Sequence, residues 1–342
     1  MSQASETKMV ENLKHPDGSV QVETLPNGRR NVRVQCANPS EFIPFAQCET
    51  TYPLELIDRL LVAKGPAFLC DEILRDEDPA YVEAAIRRSV LSYLEEDAFR
   101  GKLILDFGCG CGGSTMALCR VFPQARVVGV ELEPDYVAIA NLRKRHFGRN
   151  NVEFLCSPSG DALPNALDAY DFVVVSSVWE HLLPHERDQL LPMLWQHLKP
   201  QGVCFIFGTP NRYSPVEGHT TGFPLINYLP DRLACRVIKR WSRRATPADT
   251  WETLLRKGVR GGSVREILGI LRRRGHRPEL LTPHRLGMKD SIDIWTAASP
   301  RRSAFNTLFR YAAKSLRAVT GVSVAPWLTM AIRKRDLDGR CL

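Results

Sequence analysis

The stretch from Lys102 to Glu131, KLILDFGCGCGGSTMALCRVFPQARVVGVE, constrains the fold more than any other part of the chain. It begins with a short apolar run ending at Asp106, which is typical of a strand buried on both faces of a parallel sheet. Four glycines within the next seven residues allow a sharp turn and a close approach to a ligand. A short helix and a second buried strand follow, and Glu131 ends that strand. This order predicts an α/β fold with a ligand at the turn.

Two cofactor classes fit this stretch. Gly108, Gly110 and Gly113 satisfy the G-x-G-x-x-G pattern of dinucleotide-binding turns, and Glu131 follows about 20 residues later, where a carboxylate can accept bonds from ribose hydroxyls. Asp106 disfavours a dinucleotide, because a pyrophosphate over the helix N-terminus would meet a like charge. A cofactor without phosphate, carrying positive groups, suits the same acid.

The stretch resembles motif I of the class I S-adenosylmethionine-dependent methyltransferases, whose pattern is an acid, any residue, and Gly-x-Gly-x-Gly. Glu180-His181 matches the EH that follows the fourth strand in many small-molecule methyltransferases, including those of the ubiquinone-biosynthesis type. LKPQG at 198–202 is similar to the LKPGG turn of that family. The resemblance covers about residues 79–298 and implies S-adenosyl-L-methionine as cofactor. Its ammonium and sulfonium groups would be favoured by the acid at position 106.

The resemblance also implies the fold: an α/β domain with a Rossmann-like, seven-stranded, mostly parallel sheet and helices on both faces. We expect the last two strands at 279–281 and 292–297, paired antiparallel, so that the sheet is complete near Ser299. A helix before motif I, with its start at Asp78-Pro79, would help to close over the cofactor.

The remaining parts divide the chain. Residues 1–78 form an N-terminal extension, in which Asn27-Gly28 predicts a hairpin and Pro53 begins a helix. Residues 79–299 form the methyltransferase domain, with a lid insertion at about 209–262. Residues 300–342 form a basic, amphipathic C-terminal tail that the predicted sheet does not require.

The cofactor-binding residues expected from the resemblance lie after successive strands. They are Asp106, Gly108, Gly110, Gly112, Glu131, Leu132, Ser159, Gly160, Asp161 and Ser176. Ser159 stands where the family usually has the acid that contacts the adenine, so the chain departs from the pattern there. Asp161 or the amide of Gly160 could substitute for that acid.

The candidate catalytic residues are His181, Glu180 and His219. Methyl transfer mainly requires the acceptor to be held against the methyl group, and a base is needed only where the acceptor loses a proton. His181 lies just past the fourth strand, Glu180 could orient a histidine or hold an acceptor hydroxyl, and His219 lies in the lid segment EGHTTG. We predict no metal.

The function predicted from these residues is methyl transfer to a small molecule, at an oxygen of a sugar, a lipid-linked intermediate or a quinone-like phenol. Two other interpretations stay open: an oxidoreductase that binds NAD(P) or FAD, and a non-catalytic binding subunit with the same fold. The segment after strand four lacks the [ND]-P-P-[YFW] signature, which disfavours a nucleic-acid substrate. The sequence does not indicate an oligomeric state.

Composition adds limits on location. The formal net charge is +8, and the basic residues concentrate late in the chain. The ten cysteines form no C-x-x-C pair, which gives a zinc site little support. Several of them lie in apolar runs, where free cysteine behaves as a small hydrophobic residue, so we expect a reducing cytoplasm without structural disulfides. No apolar run reaches the roughly 20 residues of a membrane span. The basic tail either docks on its own domain or makes peripheral contact with a membrane.

Overall fold

The computed structural model describes residues 10–39, 41–242, 244–299 and 304–335. The N-terminal part is a four-stranded antiparallel sheet in the order β1-β2-β3-β4. Its strands are β1 (Val10–His15), β2 (Gly18–Thr24), β3 (Arg30–Cys36) and β4 (Gln47–Thr50). The predicted hairpin is confirmed, because β2 pairs with β3 and Gly28 takes a left-handed φ of 78° in the turn between them.

Helix α1 (Leu54–Glu77) joins this small sheet to the rest of the molecule. The helix breaks at Gly65, where Pro66 follows. Its apolar side chains share one buried cluster with Val20, Val22 and Val32 of the sheet and with Cys111 of the glycine turn. The N-terminal extension is therefore packed directly against the turn. A short π-helix (Pro79–Glu83) and α2 (Ala84–Leu91) follow, the latter in the predicted helical region.

The central sheet has seven strands in the order β10-β11-β9-β8-β5-β6-β7. The five strands from β9 to β7 in this order are parallel to one another. Strand β11 pairs antiparallel with both β9 and β10. The strands are β5 (Leu103–Phe107), β6 (Arg126–Glu131), β7 (Val152–Cys156), β8 (Tyr170–Ser176), β9 (Leu198–Pro210), β10 (Pro278–Leu280) and β11 (Trp327–Lys334). This confirms the predicted fold class.

Helices cover both faces of this sheet. They include α3 (Gly113–Val121), α4 (Pro134–Phe147) and α5 (Pro184–His197). Alternate side chains of the strands enter two separate cores, so Ile104 of β5 packs on one face and Leu105 on the other. This is why the strands are apolar throughout, as parallel strands covered on both sides must be.

The segment after β9 forms an insertion whose two ends lie side by side at the end of that strand. Asn211 and Gly262 form a parallel bridge, and Gly262 N donates to Pro210 O at 2.9 Å. Between them lie α6 (Asp231–Trp241) and α7 (Trp251–Arg256), which share a small core of their own with Ile226 and Val259. Helix α8 (Val264–Arg273), capped by Ser263, then returns to the sheet.

The expected seventh strand at 292–297 is wrong. That segment lies in a helix, α9 (Ser291–Ala298), which begins where Asp290 Oδ1 accepts a bond from Asp293 N at 2.9 Å. The strand comes instead from Trp327–Lys334, in the part we expected to lie outside the sheet. The sheet is therefore not complete near Ser299. The strand was expected because the family pairs its last two strands antiparallel, while the capping aspartate favours the helix.

The tail helix α10 (Ala304–Thr320) docks on its own domain. Lys314 Nζ lies 2.6 Å from Asp293 Oδ1, and Arg317 Nη1 lies 2.9 Å from Asp290 Oδ2. Its charged side thus faces the protein, while Leu308, Tyr311 and Val319 are exposed. Within the described ranges, no helix has the length and apolar content to cross a membrane.

Candidate cofactor and acceptor site

The glycine turn between β5 and α3 leaves an open cradle at Gly110. Gly110 has a φ of 55°, and within the described part of the chain, its two neighbours aside, no atom lies within 4 Å of the position that a Cβ would take. Gly112 has a φ of 86° for a different reason, since a Cβ there would stand 2.7 Å from Ala140 Cβ and 2.9 Å from Phe154 Cζ. Gly112 therefore allows α4 and β7 to pack closely, whereas Gly110 leaves space for a ligand.

The carboxylate of Glu131 lies at the edge of this cradle. Its Oε2 accepts a bond from Gly110 N at 2.8 Å, and its Oε1 accepts from Leu132 N at 2.7 Å and Glu133 N at 3.3 Å. Backbone amides thus fix the side chain at the carboxyl end of β6. A carboxylate has about four lone-pair sites and three are used here, so one on Oε2 remains to accept a bond from a ligand hydroxyl.

Asp106 lies deeper than the sequence suggested. Its side chain is 1% exposed, and its Oδ2 accepts bonds from Ser114 Oγ at 2.8 Å and Thr115 Oγ1 at 2.7 Å. Burial raises the pKa of Asp106 to about 6, although the two hydroxyls act in the opposite direction. Its hydrogen bonds join the end of β5 to the first turn of α3, so it supports the glycine turn from below.

The loop after β7 holds the residues expected near an adenine ring. Ser159 Oγ donates to Asp161 Oδ1 at 2.6 Å, so Asp161 supplies a carboxylate beside the serine that replaces the usual acid. Gly160 and Asp161 are exposed, and Leu132 across the loop is 45% exposed. Ser157 N donates to Glu131 O at 2.7 Å, which holds this loop against the end of β6.

The end of β8 touches the glycine turn. Ser176 is its last residue, and Ser177 follows with a left-handed φ of 54°. The next residue, Val178, lies so close to the turn that a Cβ on Gly108 would stand 2.8 Å from Val178 Cγ2. Residues just after Val178 are therefore near the cradle.

Glu180, His181 and His219 come together beside this point, although 38 residues separate the two histidines. One potential ligand atom from each lies within 4.8 Å of the others, and the histidine ring centroids are 5.7 Å apart. The turn Trp179–His181 supplies the first two, and the insertion supplies the third. The structure thus groups all three predicted catalytic residues.

Burial differs within this group. Glu180 is completely buried, and its burial raises its pKa, while the nearby His181 acts in the opposite direction. His219 is partly buried, and burial together with the charge of His181 lowers its pKa, so the ring is held neutral near pH 7. The side chain of His181 is 45% exposed, which leaves the group open to a ligand from one side.

The sequence did not identify two residues that support this group. Thr209 Oγ1 donates to Glu180 Oε2 at 2.9 Å, and Arg256 O lies 2.7 Å from His181 Nδ1. Thr209 could have been found, because it is a polar residue near the carboxyl end of a predicted strand. Arg256 acts through its backbone, for which side-chain type gives no signal.

Residues 104–202 match a protein family described as "Methyltransferase domain". The match runs from β5 into β9 and includes the glycine turn, Glu131 and Glu180-His181. The chain contains a class I methyltransferase domain. Domains of this class depend on S-adenosyl-L-methionine.

Several curated proteins and solved structures are similar to the methyltransferase domain. Trans-aconitate 2-methyltransferase of Azoarcus sp. (strain BH72) is 30% identical over 148 residues, 43% of this chain and 53% of that protein. Catechol O-methyltransferase of Mus musculus is 32% identical over 96 residues, 28% and 35% of the two chains. The plantazolicin methyltransferase BpumL, solved in complex with SAH, has 15% identity and a TM-score of 0.43 over 82% of this chain and 97% of that chain. The chain spans about a quarter to a half of the length of the first curated relatives it matches.

The residues at the methyltransferase domain's glycine turn fit S-adenosyl-L-methionine. The cradle at Gly110 is open, Glu131 is anchored beside it with one acceptor site still available, and Leu132 offers an exposed apolar side chain for a flat ring. A cofactor without a pyrophosphate also avoids a second anion above the buried Asp106.

Proposed function

We propose that this chain transfers a methyl group from S-adenosyl-L-methionine to an oxygen atom of a small-molecule acceptor. The observation that supports the proposal is the grouping of Glu180, His181 and His219, which begins two residues after Val178, the residue that lies against Gly108 of the glycine turn. A hydroxyl acceptor must lose its proton, and this group provides polar atoms for it at the expected place.

Catechol O-methyltransferase and a malonyl-[acyl-carrier protein] O-methyltransferase, both similar to this chain, carry the acceptor atom in their names. The acceptor class proposed here is a hydroxyl compound, such as a phenol, a sugar or a lipid-linked intermediate. The insertion supports a bound acceptor of this kind, because it brings His219 beside Glu180 and His181.

The residues of the chain would divide the work as follows. When bound, S-adenosyl-L-methionine supplies an electrophilic methyl carbon. Glu131 would accept a bond from a ribose hydroxyl, and Leu132 would pack on the adenine. Glu180, His181 and His219 would hold the acceptor oxygen toward that carbon. The proton of the acceptor hydroxyl would pass to the group of Glu180, His181 and His219.

The cofactor half of the proposal is tested with Glu131→Ala. Loss of a charge-assisted hydrogen bond costs roughly 1.5–3 kcal/mol, so we expect the Kd for S-adenosyl-L-methionine to rise about tenfold or more in calorimetric titration. Glu133→Ala is the matched control, since Glu133 is exposed two residues further along. Equal Kd values for both variants and the native protein, or saturable NAD binding in place of this cofactor, would contradict the proposal.

The acceptor half is tested by transfer of tritiated methyl from the cofactor to a panel of phenols, sugars, carboxylic acids and amines. We expect product with hydroxyl compounds, and a loss of turnover in His219→Ala without a change in cofactor affinity. Tight cofactor binding without transfer to any acceptor would favour a binding subunit. Transfer to amines alone would show that oxygen is the wrong atom.

A further inference from the structure

The group formed by Glu180, His181 and His219 has the composition of a metal site as well as of a proton acceptor. Two imidazoles and one carboxylate are a ligand set that zinc enzymes use, with the fourth position open. Their ligand atoms lie within 4.8 Å of one another, while ligands of a tetrahedral zinc ion stand about 3.3 Å apart. Small rotations of exposed or half-exposed imidazoles close that difference.

Each of the three side chains is held through one atom and keeps the other free. His181 Nδ1 lies 2.7 Å from Arg256 O, which leaves Nε2 toward Glu180. His219 Nδ1 lies 3.1 Å from Thr220 Oγ1, which leaves its Nε2. Metal-binding histidines are oriented in this way, with the second ring nitrogen donating to a carbonyl or another oxygen.

The carboxylate of Glu180 gives a second observation that points to a bound cation, independent of the ligand spacing. Its Oε2 accepts a bond from Thr209, but its Oε1 is buried and makes no hydrogen bond with any residue that the structure describes. The nearest ring nitrogen, His181 Nε2, stands 3.9 Å away, beyond hydrogen-bonding distance. A buried carboxylate oxygen without a partner is costly, and a cation at this position would remove that cost.

We propose that Glu180, His181 and His219 bind a divalent transition-metal ion, with Zn²⁺ as the best fit. Imidazole nitrogen and a carboxylate suit zinc, and these ligands also accept Co²⁺. Three protein ligands leave one position for water or for an oxygen of a bound molecule. Binding of the ion does not depend on methyl transfer. Only a role in ionising the acceptor hydroxyl rests on the function proposed above.

The test uses the full chain, freed of metal by a chelator and titrated with Zn²⁺ in competition with a chromophoric chelator. We expect one ion per chain, and a rise in Kd of about tenfold or more in Glu180→Gln, His181→Ala and His219→Ala. Bound Co²⁺ should give the visible absorption bands of a tetrahedral site, and these should be absent in the three variants. His185→Ala is the control, because His185 is exposed and lies outside the group.

A second variant separates loss of the metal site from loss of the fold. Thr209→Val keeps the shape of a buried residue and removes only the hydrogen bond to Glu180. We expect it to weaken Zn²⁺ binding without changing cofactor affinity, and to keep a cooperative melting transition even if the melting temperature falls. No Zn²⁺ binding by the native protein, or the same affinity in His219→Ala as in His185→Ala, would overturn the proposal. Zn²⁺ binding with no methyl transfer would leave the metal site standing and count against the function alone.

Discussion

At the scale of single residues, the buried Asp106 makes the free energy of unfolding depend on pH. Burial raises its folded pKa from 3.8 to about 6, so the folded chain holds a proton that the unfolded chain releases. For a carboxyl shifted in this direction, the free energy of unfolding falls as pH rises from about 4 to about 6 and is level above that. The buried charge is therefore a cost at neutral pH.

Asp106→Asn should remove this pH dependence while keeping the size of the side chain. We expect its free energy of unfolding, relative to the native protein, to increase by about 2 kcal/mol between pH 4.5 and pH 7.5. Urea denaturation of both proteins at the two pH values measures this. Asp171→Asn is a useful comparison, because interactions with Lys199 and Leu103 N outweigh burial and lower the pKa of Asp171. A constant difference for Asp106→Asn would show that its charge is not destabilising.

Residue type alone predicted part of this site. The glycines and Glu131 could be found because a turn and a strand end impose those types at that spacing. The depth of Asp106 could not, since Ser114 and Thr115 reach it only after α3 has formed. The convergence of His219 with Glu180 depends on the path of the whole insertion, for which local patterns carry no information.

At the scale of elements, the amphipathic pattern of α10 did not indicate which side of the helix faces the protein. Its alternation of apolar and basic residues was read correctly as amphipathic, but the basic side faces inward. Of the acids that attract it, Asp290 caps α9 and Asp293 lies in the first turn of that helix, which the sequence analysis expected to be a strand.

Asp293→Ala should release α10. Asp293 is buried and bonds to Lys314 and Arg310, both partly exposed, so we expect a loss of about 1–2 kcal/mol in the free energy of unfolding. Faster amide exchange should be confined to residues 306–320. Asp188→Ala removes an exposed pair with Arg273 and should change stability by less than about 0.5 kcal/mol. Similar losses in the two variants would mean that the inward charges do not hold the helix.

At the scale of the whole molecule, the central sheet ties the two ends of the methyltransferase domain together. The five parallel strands were predictable, because each is a short apolar run followed by a polar residue or a turn. The strand β11 was not predictable. Its apolar run follows a long helix, and only its pairing with β9 in the folded sheet identifies it as a strand. Its Leu328, Met330 and Ile332 enter the same core as Ile206 of β9.

A chain of residues 1–299 should therefore fail to fold cooperatively, although the sequence alone suggested that it holds a complete domain. It lacks β11, which separates β9 from β10 and fills part of the core. The full chain, which includes β11, should show one sharp thermal transition. Circular dichroism with thermal scans, and size-exclusion chromatography of both, measure this. A sharp transition in the shorter chain would show that β10 and β9 can do without β11.

The position of β11 also has a consequence for biosynthesis. During translation, β9 leaves the ribosome more than a hundred residues before its partner strand does. Throughout that interval one edge of a long, apolar strand has no neighbour from its own sheet, and such edges pair readily with other chains. We expect the nascent protein to need protection until residue 334 has emerged, so slow decoding between β9 and β11 would lower the yield of soluble enzyme.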